Sequence, residues 1–249
     1  MKEKRVAQKR KIVMDPFVRM KMPRTAVADR ILPRYSEKEE TANMITHVIG
    51  CVFALTALIL CTVFAGLRRD APVIVSGILY GVSMVAVYTV SSVYHGLDPK
   101  RAHYGKRVMQ VVDHCAIYGL IVGSYAPIAM TGLRIHNPVK AWITFGVVCA
   151  ASATGLVFTT IDFNKFGLIS YGTYFIAGWS VLTAVKDMRA VFSTEFIILL
   201  ITGGIIYTAG MIPFVLEMRH KRYGHALFHI FILLGSIFQF AGIFKYCIV

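Results

Sequence analysis

Two histidines, His225 and His229, open the last long apolar stretch of the chain. On an α-helix, residues four apart lie on the same face, one turn apart, so both imidazoles could reach one metal ion. Ile230 to Leu234 continues the stretch almost without polar groups, which places the pair at or just inside a membrane surface. The alternative is a pair of helix-end histidines that extend towards the lipid headgroups, because a bare motif match is weak evidence for a metal site.

Unusual polar residues also occur at matching places in three other apolar stretches. If the chain crosses the membrane seven times, the starts of odd-numbered helices and the ends of even-numbered helices share one face. All of these residues, with the histidine pair, would then lie in the same leaflet. They are Glu40, Asn43 and His47 in the first stretch, Ser91 and His95 in the second, and Asp113 in the third.

The residue types indicate a catalytic zinc site, because three imidazole ligands leave one coordination position for water. The predicted ligands are His95, His225 and His229. A carboxylate such as Asp113 costs roughly 3 kcal/mol at the centre of a bilayer and therefore needs a partner. Beside a water on the metal it could act as general base. Ser91, one turn before His95, could donate a hydrogen bond to that water or to an oxyanion, or bond back to its own helix.

The remaining polar residues are assigned supporting roles. We expect Glu40 and Asn43 to brace the site, and His47 to brace it or, less favoured, to act as a fourth ligand. His114 follows Asp113 directly but points about 100° away on an ideal helix. The other histidines fall in predicted loops and are expected to be solvated; they are His103, His136 and His220.

The elements that position these residues are apolar helices. The chain of 249 residues is 56% hydrophobic, with a mean hydropathy of +0.62, which is typical of membrane proteins. Seven apolar stretches are long enough to cross about 30 Å of hydrocarbon, and helices leave no backbone group unpaired in lipid. The stretches are 43–66, 71–96, 108–131, 139–161, 165–186, 195–217 and 226–248.

The predicted fold class is therefore all-α: a polytopic membrane protein whose residues 41–249 form one seven-helix bundle. Residues 1–40 carry 12 Lys or Arg residues and are predicted to be a disordered or surface-lying tail. Five cysteines occur singly in apolar stretches without a CxxC pair, which favours small buried side chains over disulfides.

Basic residues predict the orientation and the partners. With the N-terminus in the cytoplasm, 20 Lys or Arg residues lie inside and 7 outside, as the positive-inside rule favours. The net charge of +14 is explained by anionic lipid headgroups at the membrane surface, so no nucleic-acid partner is expected. Nothing in the sequence indicates an oligomeric state.

The combined motifs resemble the hemolysin III family, the bacterial relatives of the adiponectin and progestin receptors. The resemblance covers about residues 37–245, with flanking matches at 46–50, 113–118, 123–127 and 225–236. Val48 replaces a usual glycine and Ala126 a usual threonine. The motifs are Glu40-x2-Asn43-x3-His47, Ser91-x3-His95 with Asp113, and His225-x3-His229.

The resemblance implies seven helices around a zinc ion held by His95, His225 and His229, with Asp113 contacting the zinc-bound water. It also implies a bacterial plasma membrane location and kinship with alkaline ceramidases, which hydrolyse lipid amides.

Three functions remain open. The first is a zinc-dependent intramembrane hydrolase of a lipid amide or ester, and the second is a receptor or membrane-homeostasis sensor with a structural zinc. The third is a lytic protein, as the family name says. The lytic function has little support, because a secreted toxin needs export and a soluble form, whereas this chain has seven expected spans and no signal peptide.

Overall fold

A computed structural model describes residues 16–218 and 222–249, and within these residues every regular element is helical. In the described ranges, six helices are long and apolar enough to cross a membrane. The all-α membrane class is thus confirmed, whereas the count of seven helices is not. The six are α1 (Glu37–Arg68), α2 (Ala71–Gly96), α3 (His103–Ile128), α4 (Pro138–Trp179), α5 (Thr194–Met218) and α6 (Gly224–Ile243).

Local sequence signals set the ends of the first two helices. Helix α1 begins with a capping box, in which the Glu39 amide donates to Ser36 Oγ at 3.3 Å and the Ser36 amide donates to Glu39 Oε2 at 2.9 Å. It ends at Arg69, whose left-handed backbone (φ 53°) stops the helix. Pro72 then lies in the first turn of α2, a position that needs no amide proton.

Helix α4 is the element that lowers the count from seven to six. Its 42 residues would extend about 63 Å if straight, roughly twice the hydrocarbon thickness. The backbone leaves the helical region at Asp162 and again at Phe166. Across this break, Thr159 Oγ1 donates to Ser170 Oγ at 2.9 Å, although 11 residues of straight helix would separate them by about 16 Å. The chain therefore reverses direction, at the place where the sequence predicts a break between two helices.

Both ends of this hairpin lie at the bundle end that holds the C-terminus. Asn137 Nδ2, just before α4, donates to Asp187 Oδ1 at 2.9 Å. At the C-terminus, Arg68 Nη1 donates to the Val249 carbonyl at 3.0 Å. The turn at Asp162 lies at the other end of the bundle, where it meets the N-terminal segment.

Residues 24–35, which we call the N-terminal strap, lie across that other end. The side chain of Arg30 is only 1% exposed, and Nη2 donates to the carbonyls of residues 160 and 161 at 3.2 and 2.8 Å. The Thr25 amide donates to Asp162 Oδ2 at 2.7 Å, and Arg107 Nε donates to the Arg30 carbonyl at 2.6 Å. The described part of the basic tail is thus bound to the helices, while residues 1–15 lie outside the described structure.

The cysteines form no disulfide; all five are free. Cys61 and Cys247 are buried, as expected of small apolar side chains, whereas Cys51, Cys115 and Cys149 are only half-buried.

Candidate metal centre

The end of α2 and the start of α6 bring three buried histidines together. Each of His95, His225 and His229 offers a nitrogen, and the three nitrogens lie within 4.8 Å of one another. Nitrogens bound to one tetrahedral zinc lie about 3.4 Å apart, so small side-chain rotations would bring all three onto one ion. The structure therefore assembles the three predicted ligands into a potential metal site.

Hydrogen bonds to Nδ1 fix the orientation of two of these rings. His95 Nδ1 donates to Glu40 Oε2 at 2.7 Å, and His229 Nδ1 lies 3.3 Å from the Asn43 carbonyl and 3.2 Å from Thr46 Oγ1. The opposite atom, His95 Nε2, is buried without a hydrogen-bond partner among the described residues. Ligand histidines use one nitrogen for the metal and the other for such a partner, so these residues fit a metal ion.

A buried lysine, which the sequence analysis does not single out, completes this network. Lys106 is 2% exposed, and Nζ lies 2.7 Å from Glu40 Oε1 while donating to the Leu97 carbonyl at 2.8 Å. From the sequence, Lys106 is expected in a loop before the third helix, but α3 begins at residue 103. Lys106 is therefore helical, seven residues before Asp113 and on the same face. An earlier helix start would have placed Lys106 on the face of Asp113, but would not have shown its pairing with Glu40, which lies on another helix.

The two predicted catalytic residues line one cavity with two of the histidines. Asp113 and Ser91 are 9% and 2% exposed, and their side chains face the cavity that reaches His225 and His229. The arrangement places a carboxylate and a hydroxyl beside the same space as the candidate ligands.

His47 packs against the cluster of three and also lines the cavity. Its ring is 3.8 Å from the ring of His229, edge to face, and neither of its ring nitrogens has a hydrogen-bond partner among the described residues. It is buried as a supporting residue would be, and it is not one of the three grouped histidines.

The histidines assigned no role differ in their surroundings. His114 lines the same cavity as Asp113, and its Nδ1 lies 3.9 Å from Asp113 Oδ2. His114 Nδ1 donates back to the Gln110 carbonyl at 2.7 Å, and its ring packs 4.1 Å from the Phe163 ring. His103 and His136 are exposed. His220 lies outside the described residues.

The last residue of the N-terminal strap touches the candidate site. The Tyr35 ring lies 5.9 Å from the His95 ring and 5.4 Å from the His225 ring. The end of the strap thus packs against two of the candidate ligands, a contact that no local sequence pattern indicates.

The cavity continues from the histidines into the apolar part of the bundle. Its volume is about 180 Å³, whereas a single water needs only about 10–15 Å³. Most of its wall is formed by four segments: α3, the part of α4 that follows the turn, α5 and α6. Among the apolar residues that line it are Leu120, Tyr171, Phe175, Met211, Phe228 and Ile232.

Comparison with known proteins assigns the chain to a family. A family profile described as "Haemolysin-III related" matches residues 35–240. The hemolysin-3 homolog of Bacillus subtilis (strain 168) is 34% identical over 217 residues, which cover 86% of this chain and 97% of that protein. Hemolysin-3 of Bacillus cereus is 32% identical over 209 residues, covering 84% and 92%.

A mammalian protein shows the same relationship at lower identity. The monocyte to macrophage differentiation factor of Homo sapiens is 26% identical over 215 residues, covering 84% of each chain. No solved structure matches the chain significantly. The extent of the family match and the identity to two bacterial hemolysin-3 proteins confirm the resemblance: the chain is an integral membrane protein that belongs to the haemolysin III-related family.

Proposed function

We propose that this protein is a zinc-dependent intramembrane hydrolase that cleaves a lipid amide or ester. One observation carries the proposal. Three buried histidines have nitrogens within 4.8 Å of one another, and two of them, His225 and His229, line an apolar cavity that Asp113 also lines. A ligand cluster, a base and a space for an acyl chain are the parts such a reaction needs.

The donor set favours zinc among the common metals. Three imidazoles without a thiolate suit zinc, copper, iron or nickel, and three protein ligands with an open position are typical of catalytic zinc. Calcium and magnesium are disfavoured because they prefer oxygen ligands. When bound, zinc would polarise a carbonyl and lower the pKa of a water to about 7.

The protein's own groups would handle the proton and the developing charge. The Asp113 carboxylate would accept a proton from the attacking water and return it to the departing amine or alcohol. Ser91 Oγ would donate a hydrogen bond to the carbonyl oxygen as that oxygen gains negative charge. The C–N or C–O bond breaks, a C–O bond forms from water, and the free acid and the amine or alcohol leave.

The apolar cavity supports a lipid substrate. An acyl chain between α3, α4, α5 and α6 would meet aromatic and aliphatic walls, which suit hydrocarbon better than a polar metabolite. The headgroup would lie near the histidines, at the same end of the bundle as the N-terminal strap. Anionic headgroups are also expected to bind the basic N-terminal residues.

The proposal includes a topology. The two arms of α4 would be separate spans, which gives seven crossings. With the basic tail inside, the site would face the cytoplasmic leaflet of a bacterial plasma membrane and the C-terminus would be outside. Reporter fusions should place residue 20 in the cytoplasm and residue 249 outside. A cytoplasmic residue 249 would contradict either the span count or the orientation.

The deciding experiment measures hydrolysis by the purified protein in lipid nanodiscs. Ceramide and a matched acyl ester are supplied, and released fatty acid is quantified by mass spectrometry. We expect release that a chelator abolishes and added zinc restores, with His136→Ala active and His229→Ala inactive. One bound zinc per chain without release from either substrate would refute the hydrolase and support the non-catalytic receptor or sensor.

A further inference from the structure

The cavity that begins at the histidines becomes polar again at its deep end. Gln239 on α6 and Ser124 on α3 both line it there. Each lies well inside an apolar stretch of sequence, where a polar side chain has a cost that calls for a partner. Neither residue belongs to the proposed metal centre.

The deep end has unused hydrogen-bonding capacity. The side-chain amide of Gln239 makes no hydrogen bond within the described parts of the chain, so it can offer two N–H donors and a carbonyl acceptor. Ser124 Oγ donates to the Ile121 carbonyl at 2.8 Å, which leaves its lone pairs free to accept. Together the two side chains could both donate to and accept from one ligand group.

A small recess lies at the same residues. Ser124 and Gln239 also line a second pocket of about 20 Å³, together with Gly178, Trp179 and Gly204. That volume holds about one water-sized group, since a water needs about 10–15 Å³. The deep end therefore offers space and partners for a single hydroxyl beside an apolar chain.

The distance from the candidate metal centre to this recess can be measured along two helices, and both give about the same value. Gln239 follows His229 by ten residues on α6, which is about 15 Å along the helix axis. Ser124 follows Asp113 by eleven residues on α3, or about 16 Å. An extended hydrocarbon zigzag with bonds of about 1.5 Å advances about 1.3 Å per carbon, so the recess lies about 12 carbons from the reacting carbonyl.

We propose that the cavity selects acyl chains that carry a hydroxyl about 10–13 carbons from the carbonyl, by hydrogen bonds to Gln239 and Ser124. This inference rests on the proposed function for the identity of the reacting group. Ser124 is buried and Gln239 half-buried. An acyl chain without a hydroxyl would cover both polar side chains and leave the Gln239 amide unpaired, so the site should reject that analogue.

The test is a binding measurement, so it does not require turnover. Displacement of a fluorescent fatty acid from the purified protein in nanodiscs is measured with octadecanoic, 2-hydroxyoctadecanoic and 12-hydroxyoctadecanoic acids. We expect the 12-hydroxy acid to bind at least tenfold more tightly than the other two. Equal binding of all three would overturn the proposal and indicate that the recess holds only water. Equal binding of the two hydroxy acids would overturn it as well, because polarity rather than position would then govern affinity.

A pair of variants assigns the preference to the amide. Gln239→Leu should abolish the preference, and Ile237→Leu, on an exposed face of the same helix, should keep it. Zinc content and thermal midpoint of both variants report folding, and Gln239→Asn provides a second readout by retaining part of the preference. A preference that survives in well-folded Gln239→Leu would refute the role of this side chain.

Failure of this inference and failure of the proposed function have different signatures. A preference for the 12-hydroxy acid without hydrolysis of any lipid would support the hydroxyl-binding recess and refute the hydrolase function. Hydrolysis of plain and hydroxylated chains at equal rates, with equal binding, would support the hydrolase function and refute the hydroxyl-binding recess.

Discussion

The candidate metal centre and the polar cluster inside the α4 hairpin are both buried, yet they differ in how completely they are hydrogen-bonded. In the hairpin, Thr159 Oγ1 donates to Ser170 Oγ at 2.9 Å. Tyr118 Oη and Thr173 Oγ1 donate to the Ser170 carbonyl at 3.1 and 2.8 Å. Each of these side-chain hydroxyls therefore has a partner within the protein.

The metal centre, by contrast, keeps buried atoms without partners. Among the described residues these include His95 Nε2, both ring nitrogens of His47, and Asn43 Oδ1. Unpaired buried polar atoms are rare in folded proteins and costly. The contrast teaches that the hairpin cluster holds helices together, whereas the histidine cluster is arranged for something that is not part of the chain.

The largest effect is expected from removal of one ligand. His229→Ala should abolish bound zinc, because two histidines hold a metal poorly, whereas the exposed His136→Ala should keep about one zinc per chain. Elemental analysis of the purified variants measures this. Equal zinc content in both variants would show that His229 is not a metal ligand and would contradict the contrast between the two clusters.

The next effect separates catalysis from metal binding. Asp113→Asn should keep most of the zinc, since the amide has the same shape, but lower hydrolysis about 100-fold or more because it cannot take up a proton. If Asp113 instead braces the site, zinc affinity should fall about 10- to 100-fold, and excess zinc should restore activity. Retention of both zinc and activity would exclude both roles.

A smaller effect is expected from the lysine behind the ligands. Lys106→Met leaves Glu40 without its cation and His95 less firmly oriented, so zinc affinity should fall about 10-fold, the lower end of the range for outer residues. Lys106→Arg should recover part of the loss. Competition with a fluorescent zinc chelator gives the affinities. Unchanged affinity in Lys106→Met would limit this lysine to holding the start of α3.

The smallest effect should come from the hairpin cluster. Tyr118→Phe removes a satisfied hydroxyl and should lower stability by about 1–2 kcal/mol, with zinc content unchanged. The exposed Tyr104→Phe is the matched control. Thermal unfolding in detergent, read with zinc content, measures both. Loss of zinc in Tyr118→Phe would show that the two clusters are coupled, which would contradict a purely structural role for the hairpin cluster.

The sequence predicts most of the bundle and the ligand cluster, for identifiable reasons. The predicted second helix, 71–96, has the bounds of Ala71–Gly96, because a proline at its start and polar residues after its end mark it clearly. The expected break at residues 162–165 coincides with the turn at Asp162 and Phe166. Helix periodicity alone predicts the shared face of His225 and His229.

Other features depend on contacts that periodicity does not encode. The role of Lys106 is not predicted from the sequence, because a charged residue at a membrane edge is usually assigned to a loop and its partner Glu40 lies on another helix. The role of Gln239 is not predicted either, because it depends on a cavity formed by several helices. Tyr35 reaches the site only through the path of the strap.

The contacts of the N-terminal strap also constrain the order of events during biosynthesis. Arg24 Nε donates to the Ile161 carbonyl at 3.0 Å, and the two residues are 137 positions apart. At about 5–20 residues per second, the ribosome needs roughly 7–30 s to make that interval. The strap is therefore synthesised well before its partner, and it cannot be bound in place until the hairpin turn exists. The packing of Tyr35 against His225 forms later still, because His225 is synthesised after the turn, so the candidate metal centre acquires this neighbour only once the start of α6 has been made.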